Sequence, residues 1–234
     1  MNLTELYKDL SYGKLSNLSM SNEGNGTISV SGKPKIILAT NEALLRLFTK
    51  FVLKEDCLLI EMVDHITNYH LLSKFAESTY PVVQPYTYIK DLGREPFLDD
   101  VVRIMNVQDE FGYIFPLNDE GQVNSLFTPQ GNVLQVPVPV ESRILVVMYQ
   151  ARHAKLTEVG DENQEIELPD CLQEAMRCYV AYHIFCSIGT QEATSKGQEH
   201  LMMYEALCQD ALSQDLVSTS LSVTSNRFQL RGWI

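Results

Sequence analysis

His183 and Cys186 stand three residues apart in the run YVAYHIFC, a spacing that puts two helical side chains next to each other on one face. An imidazole beside a thiol can draw off its proton and leave a nucleophilic thiolate, or the two groups can share a metal. The surrounding residues argue for packing instead. The helix that would carry them is apolar on two sides, and such a helix buries cysteine and histidine as filler. No orienting Asn or Asp and no further ligand can be named beside them.

The carboxylate pairs Asp99-Asp100, Asp109-Glu110 and Asp119-Glu120 have the chemistry for acid/base or metal work. Each falls beside an expected turn and none has the spacing of a calcium loop, so they read as solvated turn residues. His65, His70, His153 and His200 are scattered, without an HExxH arrangement. Gly26, Gly32 and Lys33 approach a phosphate-binding loop. Five residues separate the glycines where that loop needs four, and Pro34 stands where it needs Ser or Thr. Neither a GxSxG elbow nor a dinucleotide fingerprint occurs. The expectation is a chain that is not an enzyme, with no catalytic residue, metal or cofactor.

The elements that hold these residues begin with two helices in a hairpin, from Leu168 to Leu216. Asp170 is the expected N-cap of the first, and Leu172, Ala175, Met176, Tyr179, Val180, His183 and Ile184 line one face. Cys171, Cys178, Tyr182 and Phe185 make a second apolar stripe, so one packing partner cannot cover this helix. Gly189 ends it in the left-handed C-cap position. After a short polar break the second helix runs from Gly197, with Leu201, Cys208, Ala211, Leu212 and Leu216 along its seam.

Upstream, Asn2 and Glu5 form the pattern of a capping box for a helix to about Ser11. Residues 13–33 are loop with room for a small hairpin at Asn25-Gly26. Pro34 opens a helix to about Leu53, with Ile37, Leu44, Leu45, Phe48, Phe51 and Val52 on one side. Seven β-type runs follow, at 57–63, 68–72, 86–89, 101–108, 113–117, 132–138 and 143–151. A charged connector fills 152–170. The expected fold class is therefore α+β. A small helical bundle (1–56 and 152–216) combines the N-terminal helices with the C-terminal helical hairpin and carries an inserted, mostly antiparallel β module (57–151). An extended C-terminal arm occupies 217–234.

That arm is Ser/Thr-rich, holds no acidic residue, and carries Arg227, Phe228, Leu230, Arg231, the sole tryptophan Trp233, and Ile234. Trp and Arg are the types that most often anchor interfaces. A frayed terminus or a final strand on its own domain is the competing reading. The formal charge of −12 argues against a nucleic-acid-binding surface, since phosphate affinity comes from clustered Lys and Arg. It suits a wall that DNA passes without sticking. Five cysteines without paired spacing read as reduced thiols made in a reducing cytoplasm. No apolar run reaches membrane-spanning length and the N-terminus lacks the order of a signal peptide, so the expectation is a soluble protein with no membrane partner.

The order of these motifs resembles a known family. GKLSNLSM at 13–20, PKIILATNEALLRLFTKFVLKED at 34–56, FLDDVVRIMNVQDEFG at 97–112, SLFTPQGNVLQVPVP at 125–139, LPDCLQEAMRCYVAYHIFCSIG at 168–189, MMYEALCQDAL at 202–212 and the closing NRFQLRGWI resemble head-to-tail adaptor (connector) proteins of short-tailed bacteriophages. Proteins similar to tail tubular protein A belong to that group. The resemblance implies a homo-oligomeric ring, twelve-fold in the family, docked beneath the portal protein ring and extending the DNA channel. Its far side would meet a downstream tail or nozzle protein. It further implies synthesis in the host bacterial cytoplasm, a place in the virion neck, and an arm at Arg227, Phe228, Leu230, Arg231, Trp233 and Ile234 that binds between portal subunits. The long β module departs from the smallest, almost wholly helical adaptors. Two rivals stand beside this reading: another neck or tail ring component such as a nozzle or terminator, and a small cytoplasmic Cys/His enzyme.

Overall fold

The computed structural model describes residues 1–79, 86–91, 93–157 and 163–217. Within them the chain is α+β, with four helices and two antiparallel sheets. It divides into two compact units, one of Met1–Lys50 with Arg152–Val217 and the other centred on Phe51–Ala151. The arm residues Arg227, Phe228, Leu230, Arg231, Trp233 and Ile234 lie outside the described residues.

The first unit is helical. Helix α1 (Leu3–Tyr12) starts at the capping box read from the sequence: Asn2 Oδ1 accepts from Glu5 N at 2.8 Å, and Glu5 Oε2 accepts from Asn2 N at 3.0 Å. Two amide groups that the first turn leaves without a helical partner are satisfied this way. Leu3, Leu6, Tyr7 and Leu10 are buried beneath it. Instead of a small hairpin, a 3-10 turn at Ser19–Gly24 follows.

Helix α2 (Lys33–Lys50) stops at Lys50, so Phe51 and Val52 lie beyond it. Its buried face is Ile36, Ile37, Ala39, Thr40, Ala43, Leu44, Leu47 and Phe48. Leu45, expected on that face, is half exposed. The small residues Ala39, Thr40 and Ala43 continue the stripe where a search for large apolar groups passes over them.

Helix α3 (Asp170–Ile188) is the centre of this unit and packs against both α2 and α4 (Gln191–Ser213). The two apolar stripes are thus covered largely within the chain, and α3 itself calls for no neighbouring subunit. Pro169, not Asp170, is the N-cap; Asp170 is the first helical residue and its Oδ1 accepts from Gln173 Nε2 at 2.6 Å. A proline there suits a chain entering with extended backbone. Gly189 closes the helix at φ 77°, the conformation that a residue without a β-carbon adopts at least cost. Thr190 then caps α4 at once through Ala193 N, so the second helix begins six residues before the expected Gly197. Its first turns are mostly exposed and polar, which is why TQEATSK resembles a loop.

Connector residues thread this unit. Leu3 N donates to Gln164 O and Ile166 N to Met1 O, and the Asn41 amide holds both the N–H and the C=O of Leu156. His153, buried, accepts from Glu167 N at 3.0 Å through Nε2 and packs edge-on to Phe48.

The second unit is built from β1 (Glu55–Glu61), β2 (Asn68–His70), β3 (Ile89–Lys90), β4 (Val101–Asp109), β5 (Phe127–Gln130), β6 (Val133–Gln135) and β7 (Ile144–Ala151). One sheet has the order β3-β1-β7-β4, the other β2-β6-β5, and all strand pairings are antiparallel. The run at 113–117 makes only single bridges, Gln108 to Ile114 and Leu117 to Leu126. Strand β5 was not among the expected runs; Pro129 and two polar residues disguise it. The core between the sheets includes Leu58, Ile60, Tyr69, Leu71, Tyr88, Val107, Leu134, Leu145 and Val147. Its two tyrosines are satisfied by backbone: Tyr69 OH by the N–H and C=O of Val63, Tyr88 OH by those of His70. Burial pushes both phenols above their ordinary value.

Candidate functional site

The sequence offered His183 and Cys186 as the only paired reactive groups, and the fold gives them different neighbours. His183 Nε2 lies 3.2 Å from Glu42 Oε2 on α2, whereas the Cys186 thiol packs against Gly197 on α4. Each serves a helix–helix seam. His200 stacks on Phe185 at 5.5 Å, where burial, helped by the Lys14 charge, lowers its pKa. His65 is exposed beside Asp64 and His70 stacks on Phe75. Among the described residues no group of three or more His, Cys, Asp or Glu could hold a metal ion.

Of the acidic pairs, Asp99, Asp100 and Asp109 depart from the solvated turns that the sequence suggested, while Asp119-Glu120 and Glu110 conform. Asp99 accepts from the backbone N and the Oγ of Ser73. Asp100 is buried and accepts from Tyr149 OH at 3.1 Å; burial holds its carboxyl above the ordinary aspartate value against the pull of that bond. Asp109 is 5% exposed and organises the turn after β4: Oδ1 accepts from Phe111 N at 3.0 Å and Tyr113 N at 2.8 Å, and Oδ2 pairs with Arg143 at 2.8 Å. Glu110, Asp119 and Glu120 are exposed, as expected of turn residues, and Asp119 Oδ1 accepts from Gly121 N. These partners lie up to 49 residues away, so no local spacing announces them.

A charged depression of about 620 Å³ lies in the first unit between α1 and α3. Arg177 bridges Asp9 at 2.7 Å and Glu174 at 3.0 Å, and Lys14 meets Glu174 at 2.8 Å. Burial pulls the Lys14 ammonium down, yet its interactions with Glu174 and Cys178 together outweigh this and leave it raised. For Glu174 burial acts upward, and the bonds from Lys14 and Arg177 outweigh it and leave the carboxyl lowered. Two cations and two carboxylates satisfy one another here, an arrangement that fastens α1 to α3.

The second unit holds a groove of about 480 Å³ lined mostly by apolar residues, with polar groups contributing about as much of its exposed surface as apolar ones. The Asp109 turn sends the chain back along β4, with Phe115 N donating to Val107 O, and brings Tyr113 and Phe115 to one wall in edge-to-face contact at 5.2 Å. The run VPVPV at 136–140 supplies another wall. Pro137 and Pro139 cannot donate to a ladder, so backbone pairing ends with Val136 N donating to Thr67 O, and Val138 and Val140 are left facing water. Val123 completes the mouth. Val123 is 99% exposed and Val138 77%, and Phe111 on the adjoining turn is 84% exposed. The floor is polar: Asp109 paired with Arg143, whose guanidinium lies 5.9 Å from the Phe115 ring.

Isolated exposed apolar residues are ordinary, but several of them gathered at a groove that also offers polar groups are a usual mark of a binding surface. It is the strongest functional feature of the described surface. Sequence reasoning placed Tyr113 and Val138 in strands, left Val140 between two runs, and missed it. The signal was there in the two prolines alternating with valines, which forbid a central strand. No protein-family model matches this chain, and no curated protein matches it. No helix among the described residues is long and apolar enough to cross a membrane.

Proposed function

We propose that this chain is a structural virion protein, a head-to-tail adaptor that forms a ring beneath the portal, extends the DNA channel and gives the tail its attachment surface. The structural observation that carries the reading is the groove of the second unit and the apolar residues at and beside it, with Phe111, Val123 and Val138 largely in water. Surfaces of that kind are covered by protein in an assembly. The order of motifs along the sequence names the assembly, and the net charge of −12 suits a wall that DNA must slide past. The twelve-fold copy number, the virion neck location and the portal-binding role of Arg227, Phe228, Leu230, Arg231, Trp233 and Ile234 rest on the family resemblance.

Co-sedimentation with the cognate portal ring tests the proposal, comparing the full chain with one truncated after Leu216. Binding by the full chain and not by the truncated one supports both the adaptor reading and the role of the arm. Failure of both to bind removes the portal-facing position and favours another neck or tail ring component.

A further inference from the structure

We infer that Met203 on α4 is a modification site, oxidised to its sulfoxide by peroxide ahead of its more exposed neighbour Met202 because the Lys14 ammonium touches its sulfur. This does not depend on the adaptor reading. Lys14 Nζ lies 3.9 Å from Met203 Sδ, and its 2.8 Å contact with Glu174 Oε1 on α3 holds the ammonium in place. The Lys14 charge also acts on His200, one turn before Met203, so it sits over that face of α4. Met202, the adjacent residue, points about 100° away around the helix axis. The ammonium keeps its proton at neutral pH, because burial, which acts downward, is outweighed by Glu174 and Cys178.

Oxidation of a thioether by hydrogen peroxide has a demand that this geometry meets. A sulfur lone pair attacks one peroxide oxygen, the S–O bond forms and the O–O bond breaks. The departing oxygen carries negative charge and needs a proton. Lys14 supplies it, then takes back the proton left on the oxygen now bound to sulfur, so the products are sulfoxide and water and the ammonium is unchanged. Sulfur loses two electrons and the peroxide gains them. A fixed proton donor beside developing charge lowers the barrier.

The product also fits. A thioether is a weak acceptor, whereas the sulfoxide oxygen is a strong one and forms within reach of the same ammonium. Met203 is 49% exposed, so peroxide reaches it and the new polar group stays wet. Oxidation here would add a bond between α4 and the turn after α1, and sulfoxide reductases could undo it.

Exposure alone ranks the two residues the other way, since Met202 is 70% exposed. The test is limited oxidation of the full folded chain with hydrogen peroxide, with fragment-ion mass mapping to separate the two adjacent sites. Met203 sulfoxide should form several-fold faster than Met202 sulfoxide. In urea the two rates should become equal. Lys14→Gln should reverse the order in the folded chain, while Lys196→Gln, which removes an exposed cation elsewhere on α4, should leave it unchanged. Met202 reacting first in the unaltered folded chain overturns the inference. So does a Met203 preference that survives in urea or in Lys14→Gln, or one that Lys196→Gln abolishes equally. The unaltered chain, folded and in urea, decides the matter even where Lys14→Gln does not fold. Portal binding has no bearing on these rates, so failure of the adaptor reading would leave the site standing.

Discussion

Gly197 of α4 faces the thiol of Cys186 on α3 so closely that a β-carbon at position 197 would lie 2.7 Å from Sγ, well inside contact distance. The helices meet here because one residue has no side chain. Overpacking of this kind costs about 1–3 kcal/mol, whereas alanine gains about 1 kcal/mol over glycine in a helix interior. Gly197→Ala should therefore destabilise the chain in urea unfolding by about 1 kcal/mol or slightly more. In a Cys186→Ala background the obstruction is gone and the same substitution should stabilise. A double-mutant cycle with no coupling would show that the contact does not limit helix approach.

The Asp109 carboxylate, buried with Arg143 and two backbone N–H groups as its partners, ties the groove wall to the sheet. Removing it orphans three donors at once, a loss of about 2–4 kcal/mol. Asp109→Ala should lower the denaturation midpoint accordingly, and Asp109→Asn, which keeps an acceptor, should cost less. Hydrogen exchange should localise the change to Phe111 and Tyr113. An Ala variant as stable as the parent would mean the turn holds itself.

How much of this was legible in the sequence follows from how far apart the partners lie. The Asn2–Glu5 box and the Gly189 cap are signals contained within a few residues, and both appear where the spacing put them. Most β runs also surface as strands, because β-branched repeats carry their own period. The buried roles of Asp100 and Asp109 depend on Tyr149 and Arg143, 49 and 34 residues downstream, so the pairs passed for solvated turns. The face of α2 was misjudged at Leu45 because size was weighed above position. Proline misled in opposite directions: Pro129 and its polar neighbours hid strand β5, while Pro137 was passed over in a run read as strand, which hid the groove. The arm at 227–234 lies outside the described residues.

Asp100 gives a pH dependence of definite sign. Burial raises its folded-state carboxyl, with Asp56 adding to the shift and Tyr149 and Lys54 opposing it. A raised folded-state value means the stabilising contribution is complete below the unfolded aspartate value of about 3.9 and is lost as pH rises through the folded value. Asp100→Asn keeps an acceptor for Tyr149 OH and removes the buried charge. The variant should equal or exceed the parent in stability at pH 7, and its advantage should shrink as pH falls through the folded-state value toward 3.9. Urea midpoints of the two chains compared across that window check it; a constant difference would remove Asp100 as the source.

Thiol reactivity separates the structural reading of the cysteines from a catalytic one. Cys171 is exposed, while Cys178 and Cys208 are buried and burial raises both thiols, so fewer thiolates and a closed path slow them together. Iodoacetamide followed by peptide mass mapping should label Cys171 first in the folded chain. Cys178 and Cys208 should react only on unfolding. Cys186, with its thiol against Gly197, should lag behind Cys171. Labelling of Cys186 ahead of Cys171, with a rate that falls when His183→Ala is introduced, would instead require an imidazole-activated thiolate. In that case the helix seam would have to open in solution to let His183 leave Glu42, and the protein would be a Cys/His catalyst after all.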